Sequence, residues 1–373
     1  MASLGRRALL SAVALGLALA GAEGGTRLLR PQTPALPETG LLRGAFTTPG
    51  AHPVRSEVFT GTVQVNAQGF VDGPWGPRQA GTSQPGAARV VVIGDSFVQA
   101  AQVPLTAGFG RVLARELSED GAPVEVLSLG VPGAGTGTAL LLARAWLAEL
   151  QPDLVLYAMT TSNDVLNNHP ELDPKPDKPF FARRGAALVQ IDPQDAAVPL
   201  WARGALWRHS HLLRWIGRTF WTRAEVAARL ERGGGLPIEL RVHDPSPSPD
   251  WEEAWALTGA LIGALAEESA DHGADFATLL FPDAVEATAA GRAEATARWP
   301  ALAAWDTRAA ARRAAALAEA HGPVLDLQPA IAAAEPEGSP LYLDKDGHWT
   351  EAGHRVAAEA SAPFVQALLA GRE

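Results

Sequence analysis

Four consecutive β-branched residues, Val-Val-Val-Ile at positions 90–93, most constrain the fold of this 373-residue chain, and Gly94-Asp95-Ser96 follows them directly. Such a run favours a strand that is buried on both faces, as in a parallel sheet. The hydroxyl of Ser96 then lies at the carboxyl end of the strand, where open α/β sheets bind their ligands. A turn or a helix N-cap also favours Asp and Ser. The segment predicts an α/β domain and leaves both interpretations of Ser96 open.

Strand and helix patterns alternate through much of the remaining chain. The strands are predicted at residues 88–93, 124–129, 154–158, 274–281 and 323–327, and the helices at residues 106–117, 135–150, 251–272, 284–321 and 350–369. This alternation is typical of parallel sheets. We therefore predict an α/β fold with a flavodoxin-like parallel sheet of about five strands sandwiched by helices.

Two segments lack this alternation. Residues 26–87 are rich in Pro, Gly, Thr and Gln, which predicts a linker followed by an irregular N-terminal arm. Short strands within the arm are indicated by Val58, Val63, Val65 and Phe70. The segment at about residues 165–250 contains many prolines and has a helical pattern at residues 201–232. It is therefore predicted to be a mainly helical insert. The main domain is expected to span residues 88–370 and to contain this insert, with a separate second domain as the alternative.

The N-terminus has the pattern of a targeting segment. Arg6 and Arg7 precede an uncharged run at residues 8–22, and two Ala-x-Ala sites lie at residues 18–22. The run is short for a bilayer-spanning helix of ~20 residues. Residues 1–25 are therefore predicted to be a signal peptide or a membrane anchor, with a buried N-terminal helix as the alternative. Either targeting segment predicts export to the periplasm or the extracellular space.

Charge and composition exclude several kinds of partner and site. A formal net charge of -10 disfavours nucleic acid, whose phosphates an acidic surface repels. The chain contains no cysteine, which excludes disulfides and thiolate metal sites. The pair His209 and His211 lacks a recognisable third metal ligand. Neither a metal nor a cofactor is expected.

Two loops after predicted strands carry candidate hydrogen-bond donors for an oxyanion. Gly130, Gly133 and Gly135 follow the second strand, where a glycine permits close backbone approach and offers a free N–H. Their spacing differs from the dinucleotide pattern, and no Lys-Ser or Lys-Thr pair follows, which excludes a P-loop. Asn163 follows the third strand, where its amide can donate to a developing oxyanion. Asn-Asp is also common in turns.

A histidine lies just before the last predicted helix. His348 has Asp344 and Asp346 close by in sequence. Histidine is the usual general base near neutral pH, and a carboxylate on its second ring nitrogen fixes its tautomer. Trp349 is expected to pack the loop that carries the histidine, and Thr350 is expected to cap the helix. With Ser96, these segments predict chemistry by an activated serine.

In these four segments the chain resembles the SGNH (GDSL-type) hydrolases, over roughly residues 88–370 without the insert. The resemblance implies the SGNH hydrolase fold, with Ser96 as nucleophile and His348 as base. It also implies an oxyanion hole formed by the backbone N–H groups of Ser96 and Gly133 and by the side chain of Asn163.

The match departs from the commonest family pattern at three positions, one of which is Phe97 in place of the leucine of Gly-Asp-Ser-Leu. Lys345 occupies the position three residues before His348 where the family usually has Asp, so Asp346 is the preferred triad acid and Asp344 the reserve. The sequence D-x-H-W is similar to a variant found in exported acetyltransferases and acetylesterases that act on bacterial polysaccharides. Thr161 replaces the glycine of the third block.

The resemblance and the N-terminus together predict an exported serine esterase. Its expected substrate is a small O-acyl ester, with acetyl as the leading candidate, on a cell-envelope carbohydrate or a small molecule. One alternative is an O-acetyltransferase that uses the same residues. Another is a non-catalytic glycan-binding or assembly protein on the same fold.

Six of the 11 tryptophans lie in or beside the insert, and they are Trp201, Trp207, Trp215, Trp221, Trp251 and Trp255. Aromatic rings of this kind either stack on sugars or fill a core, and the core interpretation is preferred. A third interpretation is that they anchor the insert at a membrane interface.

Overall fold

The computed structural model describes residues 2–29, 48–56, 58–76, 78, 87–119, 123–173, 178–185, 187–191, 210–213, 215–216, 227, 230–231, 233–335 and 340–372. The chain divides into two compact units, residues 1–35 with 195–229 and residues 36–194 with 230–373.

The described helices and strands follow in chain order. They are α1 (Ala2–Leu29), β1 (Gly50–Arg55), β2 (Thr60–Val65), β3 (Ala88–Gly94), α2 (Ser96–Gln99), α3 (Phe109–Glu119), β4 (Val124–Gly130), α4 (Thr136–Leu150), β5 (Leu154–Thr160), α5 (Thr161–Asn167), β6 (Phe180–Arg184), β7 (Ala187–Ile191), α6 (Pro249–Asp271), β8 (Asp275–Phe281), α7 (Ala284–Ala287), α8 (Ala289–Arg298), α9 (Ala309–Glu319), β9 (Val324–Asp326), α10 (Gln328–Ala334) and α11 (Glu351–Ala370).

The first unit contains α1 and a short helical turn at residues 211–213. The Glu23 carboxylate accepts hydrogen bonds from the Ser210 hydroxyl and from the backbone N–H groups of His211 and Leu212. Burial raises the pKa of Glu23, but hydrogen bonds from Leu212, Ser210, His211 and Arg27 outweigh it and lower the pKa to about 2.

The N-terminal segment predicted to target the protein falls on α1, and that role stays a prediction. None of the helices in the described ranges combines the length and the apolar composition that crossing a bilayer requires.

The second unit is built on a five-stranded sheet in the order β4-β3-β5-β8-β9, with every neighbouring pair parallel. The predicted α/β fold with a parallel sheet sandwiched by helices is confirmed. Gly94 at the end of β3 pairs with Gly130 of β4 and with Ala158 of β5. The carboxyl ends of these three strands therefore meet at one edge of the sheet.

Helices cover both faces of the sheet. Val90 and Val92 of β3 pack into the apolar cluster that contains residues of α3 and α11, which contact each other. Val91 and Ile93 pack into the cluster on the opposite face, with residues of α4 and α6. Because successive strand residues point to opposite faces, a strand covered on both sides must be apolar throughout.

Several predicted helix bounds shift for local reasons. The helix expected at residues 106–117 begins at Phe109, because Leu105–Ala107 forms a 3-10 turn and Gly108 has an extended backbone. The region predicted as helical at residues 284–321 contains α7, α8 and α9, with a 3-10 turn at Pro300–Ala304 between α8 and α9.

The described part of the N-terminal arm packs as part of the second unit. Strands β1 and β2 form an antiparallel hairpin, with Val63 and Val65 buried in β2. Val58 and Phe70 lie outside the strands. The Phe70 ring stacks on Trp75, with 5.1 Å between ring centroids, and both belong to the cluster that contains Val91.

An ion pair ties the arm to the sheet domain. The buried carboxylate of Asp72 is paired with Arg111 of α3 and accepts hydrogen bonds from the Ser128 backbone N–H of β4 and from the Trp75 indole. The described arm is therefore anchored to a strand and a helix of the sheet domain.

The insert contains an antiparallel hairpin, β6–β7, that the sequence patterns did not predict. The helix expected at residues 251–272 is α6, while the helical pattern at residues 201–232 lies mostly outside the described residues. Trp251 and Trp255 are buried in the core, as the preferred interpretation predicted. Trp215 is partly exposed. The other insert tryptophans, Trp201, Trp207 and Trp221, lie outside the described residues, as does His209.

Candidate active site

Ser96 lies at the junction of β3 and α2, at the edge where the three strand ends meet. The preceding residue, Asp95, caps α2 by accepting a hydrogen bond from the Phe97 N–H, with Oδ1 and N 2.9 Å apart. Gly130 permits this arrangement, because a Cβ at that position would lie 2.2 Å from the Gln99 backbone nitrogen. The short helix can therefore pack directly on the end of β4.

His348 lies between Ser96 and Asp346. Its Nε2 is 2.7 Å from Ser96 Oγ, and its Nδ1 is 2.6 Å from Asp346 Oδ1. An ionised carboxylate only accepts hydrogen bonds, so Nδ1 carries the proton and Nε2 is left to accept from the serine hydroxyl. Burial raises the pKa of Asp346, but the hydrogen bond from His348 and the His348 charge outweigh it and lower the pKa. The carboxylate is therefore held in the ionised form that orients the ring.

A tight turn allows an acid only two residues before the histidine to reach it. The Leu343 N–H donates to the His348 carbonyl, and the Gly347 N–H donates to the Leu343 carbonyl. Lys345 has a φ of 61° and Gly347 a φ of 82°, both in the left-handed region. This backbone turns Asp346 back onto Nδ1 of His348, so the structure pairs the histidine with Asp346 and not with the exposed Asp344.

Aromatic rings pack around the turn. Trp349 is fully buried and contacts Phe97, with ring centroids 5.0 Å apart, and Phe281, with centroids 4.6 Å apart. The Phe97 ring also lies 5.0 Å from the His348 ring. Trp349 therefore packs the loop that carries His348, as predicted, and Thr350 caps α11 by accepting from the Gly353 N–H.

Gly133 lies in a turn that follows β4. The Ala134 N–H donates to the Val131 carbonyl, and Gly133 has a φ of 70°, which favours glycine. Within the described residues, no backbone carbonyl accepts a hydrogen bond from the Gly133 N–H. This N–H remains a candidate oxyanion donor, whereas Gly130 forms the end of β4 and Gly135 the N-cap of α4.

Asn163 lies in the first turn of α5, after the end of β5. Its Nδ2 donates to Asp95 Oδ2 at 2.8 Å, which brings its side chain next to the residue that precedes Ser96. The structure thus gathers Ser96, His348 and Asp346 through direct hydrogen bonds, and it joins Asn163 to them through Asp95. Gly133 is placed at the same edge by the strand register.

A buried polar network lies beneath these residues, and the sequence patterns did not predict it. The Tyr157 hydroxyl donates to Asp164 Oδ2 at 2.7 Å and lies 2.9 Å from Thr136 Oγ1. Burial, and then the charge of Asp95, raise the pKa of Asp164 well above its usual range. Asp95 is itself fully buried, and burial raises its pKa, although its hydrogen bonds from Phe97 and Asn163 oppose the rise.

A cleft of about 700 Å³ lies against the turn that carries Asp346. Its walls include Trp299 at the end of α8, Tyr342 and the turn residues 344–347. Its volume falls in the range of small-molecule sites. Among the residues that the structure describes, no group of three or more His, Asp or Glu side chains is arranged to hold a metal ion.

Residues 245–373 match a family model described as "SGNH hydrolase-like domain, acetyltransferase AlgX". This segment is therefore similar to SGNH hydrolase-like domains. It is shorter than half of the chain and contains His348 and Asp346, whereas Ser96, Gly133 and Asn163 lie outside it. The predicted resemblance to the SGNH hydrolases is confirmed by this match. No curated protein matches the chain.

Three solved structures are similar to the chain at low identity. An acetyl xylan esterase, AlAXEase, is 12% identical, with a TM-score of 0.41, over 74% of this chain and 99% of its own. TesA is 15% identical, with a TM-score of 0.39, over 75% of this chain and 99% of its own. A two-domain esterase active on acetylated mannans is 10% identical, with a TM-score of 0.36, over 75% of this chain and 49% of its own.

Proposed function

We propose that the protein is an exported serine esterase that hydrolyses a small O-acyl ester, with acetyl as the leading candidate, on a cell-envelope carbohydrate. The observation that carries the chemical part of this proposal is the unbroken chain of hydrogen bonds from Ser96 through His348 to Asp346. A serine hydroxyl is a weak nucleophile until an adjacent base takes its proton, and this chain supplies the base and its orienting acid.

In the first half of the reaction, Ser96 Oγ attacks the ester carbonyl carbon while His348 Nε2 takes the hydroxyl proton. The carbonyl oxygen becomes an oxyanion, which accepts hydrogen bonds from the N–H groups of Ser96 and Gly133 and from Asn163 Nδ2. Preorganised donors of this kind stabilise the transition state. When the intermediate collapses, the bond to the alcohol oxygen breaks, and that oxygen takes the proton from His348.

In the second half, a water molecule attacks the acyl-enzyme and gives a proton to His348 Nε2. The bond to Ser96 Oγ then breaks, the serine recovers its proton from His348, and a carboxylic acid leaves. Asp346 stays ionised throughout and stabilises the imidazolium that forms in each half. The lowered pKa of Asp346 supports this role.

The carbohydrate substrate and the export of the protein rest on two further features. The basic and apolar segment at residues 1–25 supports export. The Asp346-x-His348-Trp349 sequence supports a carbohydrate ester, because it is similar to the variant of exported enzymes that act on polysaccharides. The cleft beside the Asp346 turn offers room for part of such a substrate.

An O-acetyltransferase is the second candidate, and the description of the matching family model favours it. Both candidates form the same acyl-enzyme at Ser96 and differ only in whether water or a sugar hydroxyl accepts the acyl group. Incubation with an isotope-labelled acetyl ester and an unacetylated glycan separates them. Label found as free acetate supports the esterase, whereas label found on the glycan supports the transferase.

Hydrolysis of p-nitrophenyl acetate by the full chain tests the shared chemistry. We expect turnover that is lost in Ser96→Ala and in His348→Ala and kept in Ser118→Ala, a serine of α3 whose hydroxyl donates to the Ala114 carbonyl. Turnover that survives both substitutions would contradict the proposal. Glycan binding without any turnover would favour the non-catalytic alternative.

A further inference from the structure

Lys178 is a buried lysine whose charge is satisfied inside the protein. Its side chain is 7% exposed, and its Nζ lies 2.5 Å from Oδ2 of Asp173, whose side chain is 1% exposed. Burying an ion pair costs desolvation free energy, so such a pair is weak evidence for stability. Its position relative to the candidate oxyanion donors gives it a more specific role.

The first contact of this ion pair is with the loop that carries Gly133. Lys178 Nζ donates to the Gly133 carbonyl at 2.8 Å. The turn around Gly133 is also held by the bond from the Ala134 N–H to the Val131 carbonyl, and the Val131 N–H donates to the Gly94 carbonyl at the end of β3. Lys178 therefore anchors the residue whose N–H is proposed to bind the oxyanion.

The second contact is with the helix that carries Asn163. Asp173 Oδ2 accepts a hydrogen bond from Asn167 Nδ2 at 2.9 Å, and Asn167 lies four residues after Asn163 in α5. Residues four apart lie on the same face of a helix. The ion pair therefore connects two separate segments, and each segment carries one proposed oxyanion donor.

We infer that Lys178, held by Asp173, is a positioning residue that fixes the Gly133 loop and α5 relative to each other and so preorganises the oxyanion hole. This inference rests on the proposed function. Oxyanion stabilisation depends on donors held in place before the charge develops, and a displacement of about 1 Å can cost about 10² in rate. Neither Lys178 nor Asp173 takes part in proton transfer.

The test compares two double variants of the full chain. Lys178→Met with Asp173→Asn removes both charges and keeps an acceptor for Asn167, which avoids leaving one buried charge unpaired. Arg89→Met with Glu125→Gln is the matched control, because Arg89 is also buried, pairs with Glu125 at 2.7 Å and donates to the Leu150 carbonyl. Arg89 lies near the amino end of β3, away from the candidate site.

For the Lys178/Asp173 variant we expect kcat for p-nitrophenyl acetate to fall by about 10- to 10²-fold with KM little changed. Lys178→Arg keeps the charge and the donors, and it should retain more of the wild-type kcat. Urea unfolding of each variant gives the folded fraction under assay conditions, which corrects kcat for loss of fold.

A corrected kcat that equals that of the Arg89/Glu125 control would overturn the positioning role while leaving the proposed function intact. Wild-type protein without Ser96-dependent turnover would contradict the proposed function, and the inference with it. A fall in corrected kcat confined to the Lys178/Asp173 variant supports the inference.

Discussion

Asp95 and Asn163 are joined by a hydrogen bond of 2.8 Å from Asn163 Nδ2 to Asp95 Oδ2. Asp95 also caps the helix that begins at Ser96. One buried carboxylate thus fixes both the serine backbone and the asparagine amide. Since an amide nitrogen carries two hydrogens, one can bond Asp95 while the second remains for an oxyanion.

Removal of the Asn163 amide should therefore slow the reaction and leave the binding of substrate largely unchanged. For Asn163→Ala we expect kcat to fall by about 10²–10³, because one oxyanion donor is lost. Steady-state kinetics with p-nitrophenyl acetate measure this effect. Asn66→Ala, in a turn of the arm, is the control and should keep the wild-type kcat. An unchanged kcat in Asn163→Ala would show that Asn163 is not an oxyanion donor.

The two aspartates of the His348 turn should differ in their effect on catalysis. Asp346→Asn should lower kcat by about 10⁴, because an amide in place of the carboxylate stabilises the wrong histidine tautomer. Asp344→Asn, two residues earlier and exposed, should leave kcat close to that of the wild type. Measurement of kcat for both variants under the same conditions decides the assignment. A large loss of kcat in Asp344→Asn with little loss in Asp346→Asn would make Asp344 the triad acid.

His354 should make stability depend on pH. Burial, and then the charge of His348, lower the pKa of this histidine in α11 to about 3. The unfolded chain binds a proton at this residue below about pH 6.5, whereas the folded protein does not. The contribution of His354 to the free energy of unfolding is therefore complete above about pH 6.5. It falls by about 1.4 kcal/mol per pH unit as the pH drops from there towards about 3.

His354→Leu should remove this dependence. When the pH is lowered from 7 to 5, the wild type should lose about 2 kcal/mol of its free energy of unfolding through His354, and the variant should not. Urea unfolding at both values measures the change. Parallel pH dependences of the two proteins would mean that His354 is not held uncharged in the folded state.

The arm should contribute to the stability of the sheet domain. Asp72→Ala leaves Arg111 without its partner and removes the acceptor for the Ser128 and Trp75 N–H groups, so we expect a loss of about 3–5 kcal/mol. Glu359→Ala breaks a surface ion pair with Arg355 and should cost about 0.3–0.5 kcal/mol. If urea unfolding shows the same small loss of free energy of unfolding in Asp72→Ala and Glu359→Ala, the arm does not unfold together with the domain.

The sheet was predictable because its strands are apolar on both faces. The run at residues 90–93 has no polar face, and the sheet has helices on both of its sides, as such a run requires. The β6–β7 hairpin was not predicted from the sequence, because β7 is largely exposed and so shows no alternation of apolar and polar residues. Prolines also lie on both sides of the hairpin in the sequence. The buried residues of this hairpin are mainly Phe180 and Phe181 of β6, and two residues do not form a recognisable strand pattern.

The candidate site was predictable where residues lie at strand ends, since parallel strands bring those ends together. Ser96 and Asn163 were found in this way. The choice of Asp346 over Asp344 followed from a family resemblance, whereas the physical reason is a turn with left-handed backbone at Lys345 and Gly347. Lys178 carried no signal, because its contact with Gly133 joins residues 45 positions apart.

Reaction with a fluorophosphonate, followed by peptide mass spectrometry, tests most directly whether Ser96 is an activated nucleophile. The hydrogen bonds from Ser96 to His348 and from His348 to Asp346 predict a single modified serine, Ser96, with labelling lost in His348→Ala. Labelling at another serine, no labelling, or equal labelling of Ser96 in His348→Ala would contradict the account.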